Sequence, residues 1–228
     1  MSKLRKIEYL MEQTQKRLFG VDTGCPNCGN KAYLSLDTKY FVSELRECVG
    51  CGLMFRFPLD RPDHGLEFYQ SNYKQGFTTS LPTDEELRGL ITSQFSGHEK
   101  SYAHVIQLMQ LLGIAPPAKV FDFGCSWGYG SWQFLNSGFE VSSYEISLPR
   151  AEFARAKLGL SVSSDMATLT TDETMFGQFD VFFSNHVIEH VPRPQDAVDL
   201  ALCHKLINCE SRDSIWRRIL IHWRQEDF

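Results

Sequence analysis

Four cysteines fall as two pairs, Cys25 and Cys28 in CPNCG and Cys48 and Cys51 in CVGCG, with 19 residues between the pairs. Each CxxC brings two thiolates to one side of a tight turn, and the glycine after each pair permits the positive φ such a turn needs. Two such turns facing each other make a tetrahedral sulfur site, the geometry of structural zinc. Four protein ligands leave no open coordination position, so the expected role is structural. Redox pairs or unconnected surface cysteines are the alternative. Zinc-ribbon spacing, in a segment too small to build its own core, argues against it. The other three cysteines, Cys125, Cys203 and Cys209, are solitary, and an odd total of seven does not suit a disulfide framework. The pairs therefore read as metal ligands in a reducing compartment.

A second stretch, AKVFDFGCSWGYGSWQFL (118–135), runs apolar to an acid, Asp122, then through Gly124, Gly128 and Gly130 into a helical pattern. A strand, a glycine turn and a helix can hold a nucleotide-like ligand. Alone that signal is weak, and Ser126 and Trp127 stand where glycine would be the easier choice. Its surroundings strengthen it. Glu145 ends the next strand, 23 residues after Asp122, where an acid can accept hydrogen bonds from both ribose hydroxyls of an adenosine ligand. Asp165 follows the third strand, where it can meet an adenine amino group. Each acid singly is most simply a solvated loop carboxylate. All three at carboxyl ends of parallel strands mark a ligand site. A nicotinamide fingerprint fits less well, because GCSWGYG lacks GxGxxG spacing.

These groups need elements to position them. Residues 3–19 place Leu4, Ile7, Met11, Thr14 and Leu18 at helical steps. Short strand-like pieces lie between and beside the cysteine pairs, followed by a Pro/Asp/Gly loop and an aromatic segment, LEFYQSNYKQGF. A helix starts after SLPTDEE, where Thr83 and Glu86 form a capping-box pattern. Residues 100–113 carry an apolar stripe, and APPAK breaks that helix. From Ala118 strands at 118–123, 139–145, about 160–163 and 179–184 alternate with helices at 129–137, 148–157 and from about 194. The fold class is therefore α/β, a doubly wound parallel sheet with a small N-terminal zinc ribbon. The expected divisions are an N-terminal helix (1–22), ribbon and aromatic segment (23–75), helical linker (76–117) and ligand-binding core (118–228).

Composition is that of a globular protein, 43% apolar and 22% charged. The net charge of −5 gives no support to broad nucleic-acid or acidic-membrane binding. Residues 1–74 hold 11 Lys/Arg against 9 Asp/Glu, a surplus of only two. There is no apolar run long enough to span a membrane and no signal-peptide core, so cytoplasmic residence is expected.

VFDFGCSWGYG, YEIS and FDVFFSNHVIEHVPRP resemble the successive motifs of class I S-adenosylmethionine (SAM)-dependent methyltransferases, with E-H-V-x-x-P a hallmark of the small-molecule branch. The ribbon ending CGLMFRFP, followed by FYQSNY, is similar to zinc-ribbon methyltransferases found with sugar-modifying and polysaccharide-biosynthesis enzymes. The resemblance implies SAM as cofactor and a small-molecule acceptor, most plausibly a sugar or sugar nucleotide. It implies that Asp122, Gly124 and Gly128 frame the methionine part. Glu145 would bind ribose, with Ile146 against adenine, Asp165 and Met166 at the adenine edge, and Asn185 close to the sulfonium. Ser126 departs from the usual glycine, a position that a small residue can fill if the backbone φ is negative there. His186 and His190 are the candidates for a base, although structural places for both are the preferred reading, and no catalytic residue is assigned. Tyr69 and Tyr73 could close over the cofactor or pack between ribbon and core. An RNA methyltransferase and a non-catalytic cofactor-binding protein are the competing functions.

After Pro194 the chain runs 34 residues without glycine or proline. Family members normally continue with a glycine turn, a fifth strand and an edge hairpin. Here the pattern reads as a helix leading to a second amphipathic piece, with Ile215, Trp216, Ile219, Leu220 and Trp223 on one side. No strand is expected, which would leave 179–184 at an edge. A C-terminally truncated or frame-altered product is the favoured explanation. The others are a shortened natural member and a helix standing in for the strands, a place it could take within a homodimer.

Overall fold

The computed structural model describes residues 3–19, 23–59, 80–172, 175, 177–191, 194–205 and 219–222. The chain divides into two compact units. In the first, α1 (Lys3–Leu18) accompanies an antiparallel sheet of β1 (Tyr33–Lys39), β2 (Ser43–Cys48) and β3 (Met54–Phe57), with β2 central. Among the described residues its buried apolar side chains are few: Cys25, Cys48, Phe55 and Phe57. Arg46 compensates in part. Its guanidinium lies over the Tyr33 ring at 3.8 Å and the Phe57 ring at 3.5 Å, and its Nε donates to Glu44 Oε2 at 2.9 Å. Arg17 of α1 also donates to Glu44. Burial pushes the Glu44 carboxyl up, but the two arginines outweigh it and hold it below its ordinary value.

The polar face of α1 is the one turned inward: Gln13 and Lys16 are buried, whereas Ile7, Met11, Leu18 and Phe19 are exposed. The apolar stripe in the sequence therefore marks the outer side of this helix. Arg17 on the same helix pairs with Glu44 of β2.

The second unit is built on a parallel sheet of β4 (Lys119–Phe123), β5 (Glu140–Tyr144), β6 (Val162–Ser163), β7 (Val181–Asn185) and β8 (Ile219–His222) in the order β6-β5-β4-β7-β8. Strand order reverses between β4 and β7, whose registered pairs run from Val120↔Val181 to Asp122↔Phe183. Between strands come α4 (Tyr129–Asn136), α5 (Leu148–Leu158), α6 (Met166–Thr171) and α7 (Pro194–Lys205). This is the doubly wound α/β architecture expected.

Side-chain alternation gives the sheet two apolar faces. Val120, Val181 and Phe183 pack with Phe134 of α4 and with Val105 and Met109 of α3 (Ala103–Leu111). On the other face Phe121 and Phe123 each pack against Phe182. The expected linker belongs to this packing. Leu87 of α2 (Asp84–Thr92) and Phe95 join Trp127, Ala151, Ala154 and Leu158 in a second core cluster. The capping box at α2 is present, with Glu86 N donating to Thr83 Oγ1 and Thr83 N to Glu86 Oε2 at 2.7 Å.

One expectation is corrected. Ile219–His222 is a strand, paired in parallel with β7 from Phe182↔Ile219 to Asn185↔His222. β7 is therefore interior to the sheet. The apolar residues of ILIH extend a three- and four-residue spacing from Ile215, which is a helical pattern. A short apolar run rich in isoleucine equally suits a buried parallel strand, and periodicity alone does not separate the two. Residues Ile215, Trp216 and Trp223 lie outside the described residues.

Gly130 shows how tightly α4 is seated. A Cβ there would lie 2.4 Å from Cε1 of the Tyr102 ring, which is itself held by Tyr129, Phe134 and Phe183. Gly130→Ala should destabilise the chain by about 1–3 kcal/mol in urea unfolding, although alanine has the better helix propensity. A neutral or stabilising result would mean the ring can move aside.

Candidate cofactor site and cysteine cluster

The turn after β4 is pinned to the neighbouring strand. Gly124 N and Cys125 N both donate to Tyr144 O, at 2.8 and 3.0 Å. Gly124 has φ +87° and Gly128 φ +89°. A Cβ on Gly124 would lie 2.2 Å from Val187 Cγ2, and one on Gly128 would lie 2.5 Å from Leu160 Cδ1 and 3.0 Å from Ala154 Cβ. Close packing against the loop after β7 and against α5 is thus enough to require glycine at both positions. Ser126 corrects an expectation: its φ is +55°, not negative. Its N–H donates to Glu145 Oε2 at 2.8 Å, and that bond holds the serine in a conformation that costs a non-glycine residue about 1–2 kcal/mol.

Asp122, Glu145, Asp165 and Asn185 all stand at the carboxyl edge of the sheet, at or just after the ends of β4, β5, β6 and β7. Asp122 and Glu145 are buried, at 3% and 5% exposure. Asp122 Oδ2 accepts from Ser131 Oγ at 2.6 Å, and Ser143 Oγ donates to Ser131 at 3.0 Å. Burial pushes the Asp122 carboxyl up to about 7; the serine hydroxyl pulls it back and the charge of Glu145 adds to the rise. Glu145 accepts a backbone N–H on each oxygen, from Ser126 and from Ser147, both at 2.8 Å. Burial raises it above its ordinary value, while those N–H groups and Arg150 hold it back.

Asp165 caps α6. It accepts from Ala167 N at 2.9 Å and Thr168 Oγ1 at 2.6 Å, and these bonds hold it below the usual carboxylate range. The capping bonds give this exposed acid a structural duty of its own. Ile146, Met166 and Asn185 are half-buried. His186, directly after β7, has φ +55°, so a second non-glycine residue at this edge holds a left-handed backbone. His190 is exposed at the end of a 3₁₀ turn, Ile188–His190. Tyr69 and Tyr73 lie outside the described residues.

Two contributors had no motif to announce them. Ser131 supplies the hydroxyl on Asp122, and Tyr102, twenty residues upstream, accepts from Asn185 Nδ2 at 3.0 Å. The third glycine of the turn, Gly130, was the available hint that something large lies against α4. Among the described residues, several polar atoms at this edge are buried with no hydrogen-bond partner: Ser126 Oγ, Ser164 Oγ, Ser184 Oγ and Asn185 Oδ1. Buried polar groups are seldom left so, and when they are, a ligand or ordered water is the usual partner. Buried acids, left-handed backbone and unpaired polar atoms at the switch point together fit a polar, positively charged nucleoside ligand.

In the first unit the Sγ atoms of Cys25, Cys28, Cys48 and Cys51 all lie within 4.8 Å of one another. Cys25 to Cys51 is 3.6 Å and Cys28 to Cys48 is 3.5 Å. All four are free thiols. The two turns share a geometry: Gly29 N donates to Cys25 O and Gly52 N to Cys48 O, with φ +70° and +71° at the glycines. A zinc–sulfur bond of about 2.3 Å places sulfurs about 3.8 Å apart in a tetrahedron, so the cluster fits that ion. The thiols also resist ionising together. Cys51, favoured by the Leu53 N–H, is pulled down to about 6. Cys28 is driven up to about 12 by neighbouring thiols against the pull of the Asn30 N–H.

Among known proteins, residues 121–202 match the family model described as a methyltransferase domain. A ubiquinone biosynthesis O-methyltransferase of Pseudomonas aeruginosa is 32% identical over 93 residues, 39% of this chain and 39% of that protein. The chain thus spans about two fifths of the length of the curated relatives it matches. Among solved structures, the magnesium protoporphyrin IX methyltransferase of Synechocystis PCC 6803 is similar. With bound SAM it gives a TM-score of 0.43 at 16% identity, covering 64% of this chain and 73% of that one. With bound SAH the values are 0.44, 16%, 63% and 68%. The stretch that matches this model, residues 121–202, holds the glycine turn, Glu145 and the end of β7.

Proposed function

We propose that this chain binds SAM at the carboxyl edge of its parallel sheet and transfers the methyl group to a small molecule, a sugar or sugar nucleotide. The observation that supports the binding most directly is the pair of buried carboxylates, Asp122 and Glu145, beside unpaired polar atoms at the reversal of strand order, within the methyltransferase domain. The sugar class follows the resemblance of the ribbon and of FYQSNY to sugar-modifying enzymes. SAM, when bound, supplies an electrophilic methyl group on a sulfonium centre. Glu145 would accept hydrogen bonds from ribose hydroxyls. Ile146 and Met166 would flank the adenine, and Asp165 would accept from its amino group while still capping α6. Asp122, Gly124, Gly128 and Asn185 would surround the methionine end, where Asp122 offers negative charge to a cationic ligand.

The chain's part in methyl transfer is chiefly alignment and exclusion of water. A buried carboxyl raised towards 7 binds a cation best once ionised. Cys25, Cys28, Cys48 and Cys51 would hold one zinc ion that joins the two cysteine turns and adds to a core of few apolar side chains. Four thiolates around one ion leave it no role in the chemistry.

Calorimetry should show SAM binding, with Glu145→Ala weakening it about 10- to 100-fold at an unchanged far-UV spectrum. An intact affinity in that variant would remove Glu145 from the site, and no binding by the wild-type chain would defeat the SAM reading. Elemental analysis should find close to one zinc per chain, falling to background in a Cys25→Ser, Cys48→Ser variant. Zinc retained by the variant would place the ion elsewhere.

A further inference from the structure

We infer that Tyr102 is a positioning residue that sets the orientation of the Asn185 carboxamide at the end of β7, and through it the fit of the cofactor's positively charged end. The inference rests on the SAM reading above. Tyr102 stands at the N-cap of α3, far in sequence from the glycine turn, yet its hydroxyl accepts from Asn185 Nδ2 at 3.0 Å. The residue is only 7% exposed.

Its placement is fixed on every side. The ring meets Tyr129, Phe134 and Phe183 edge-on, with centroids 5.5, 5.5 and 5.7 Å away. Gly130 provides the space beneath it. The backbone is held by Gln133, whose Oε1 accepts from Tyr102 N at 2.7 Å, while its Nε2 donates to Lys100 O and Tyr129 O. So many restraints on one aromatic side chain leave its hydroxyl a fixed point.

A fixed hydroxyl that accepts from Asn185 Nδ2 holds the nitrogen end of the amide towards it and turns the oxygen away. Asn185 Oδ1 is thereby left buried and without a partner. It is an acceptor held ready for a donor on the ligand, either an ammonium group or the polarised hydrogens next to a sulfonium. Without the tyrosine hydroxyl the amide could turn over and present its donor end, which would repel a cation.

The test uses Tyr102→Phe in the full chain, which keeps the ring and removes one oxygen. Its dissociation constant for SAM should rise about threefold to tenfold. Asn185→Ala should weaken binding at least as much, and the double variant should bind no more weakly than Asn185→Ala alone. Affinity is the deciding readout, because a structural role would shift only the melting temperature. Tyr102→Phe binding as tightly as wild type, or losses that add in full in the double variant, would overturn the inference while leaving the SAM site standing. A wild-type chain that does not bind SAM would overturn both.

Discussion

A carboxylate taken out of water must find hydrogen bonds, a counter-charge or a proton. The second unit buries two of them at one end of a parallel sheet, and much of its local structure answers to that constraint. Glu145 is satisfied by two backbone N–H groups, and supplying one of them puts Ser126 into a left-handed conformation. Among the described residues Asp122 has only the Ser131 hydroxyl, and burial pushes its carboxyl up to about 7. At neutral pH neither acid, once ionised, is well compensated within the fold. In the proposed function a sulfonium nucleoside would bring hydroxyl donors to one and positive charge to the other.

The sequence carried most of this in its punctuation. Gly124 and Gly128, the acids at strand ends, and the strand–helix alternation from Ala118 were legible because turns and parallel strands impose strict local demands. Two expectations failed for physical reasons. The sign of φ at Ser126 depends on a hydrogen bond to Glu145, nineteen residues away, which no local pattern shows. β8 failed because ILIH satisfies helix and buried-strand patterns alike. Tyr102 and Ser131 were invisible for a related reason. Their roles come from side chains meeting across elements, and neither residue type is rare enough to attract notice. In α1 the apolar stripe misled about which face turns inward: Gln13 and Lys16 are buried while Ile7 and Met11 are exposed.

The first unit illustrates a different economy. Its apolar core is small, and it leans on an arginine set between two aromatic rings and on two matched cysteine turns. Four thiolates so close repel one another unless a cation lies among them. The zinc proposed there would be a folding device. The methyl-transfer chemistry proposed for the chain belongs wholly to the sheet edge of the second unit.

That assignment turns on whether Asp122 is poised for a cationic ligand. Its folded pKa is raised, so in the empty chain its contribution to stability is fully present below the unfolded value of about 4 and is lost as pH rises through about 7. A bound cation must reverse this by favouring the ionised form. The most direct measurement is a carbon-13 NMR titration of the Asp122 carboxyl with and without saturating SAM. The account predicts a midpoint near 7 in the empty chain that moves well below it when SAM is present. A carboxyl that titrates in the ordinary range in the empty chain, or one whose midpoint SAM leaves unchanged, would contradict it.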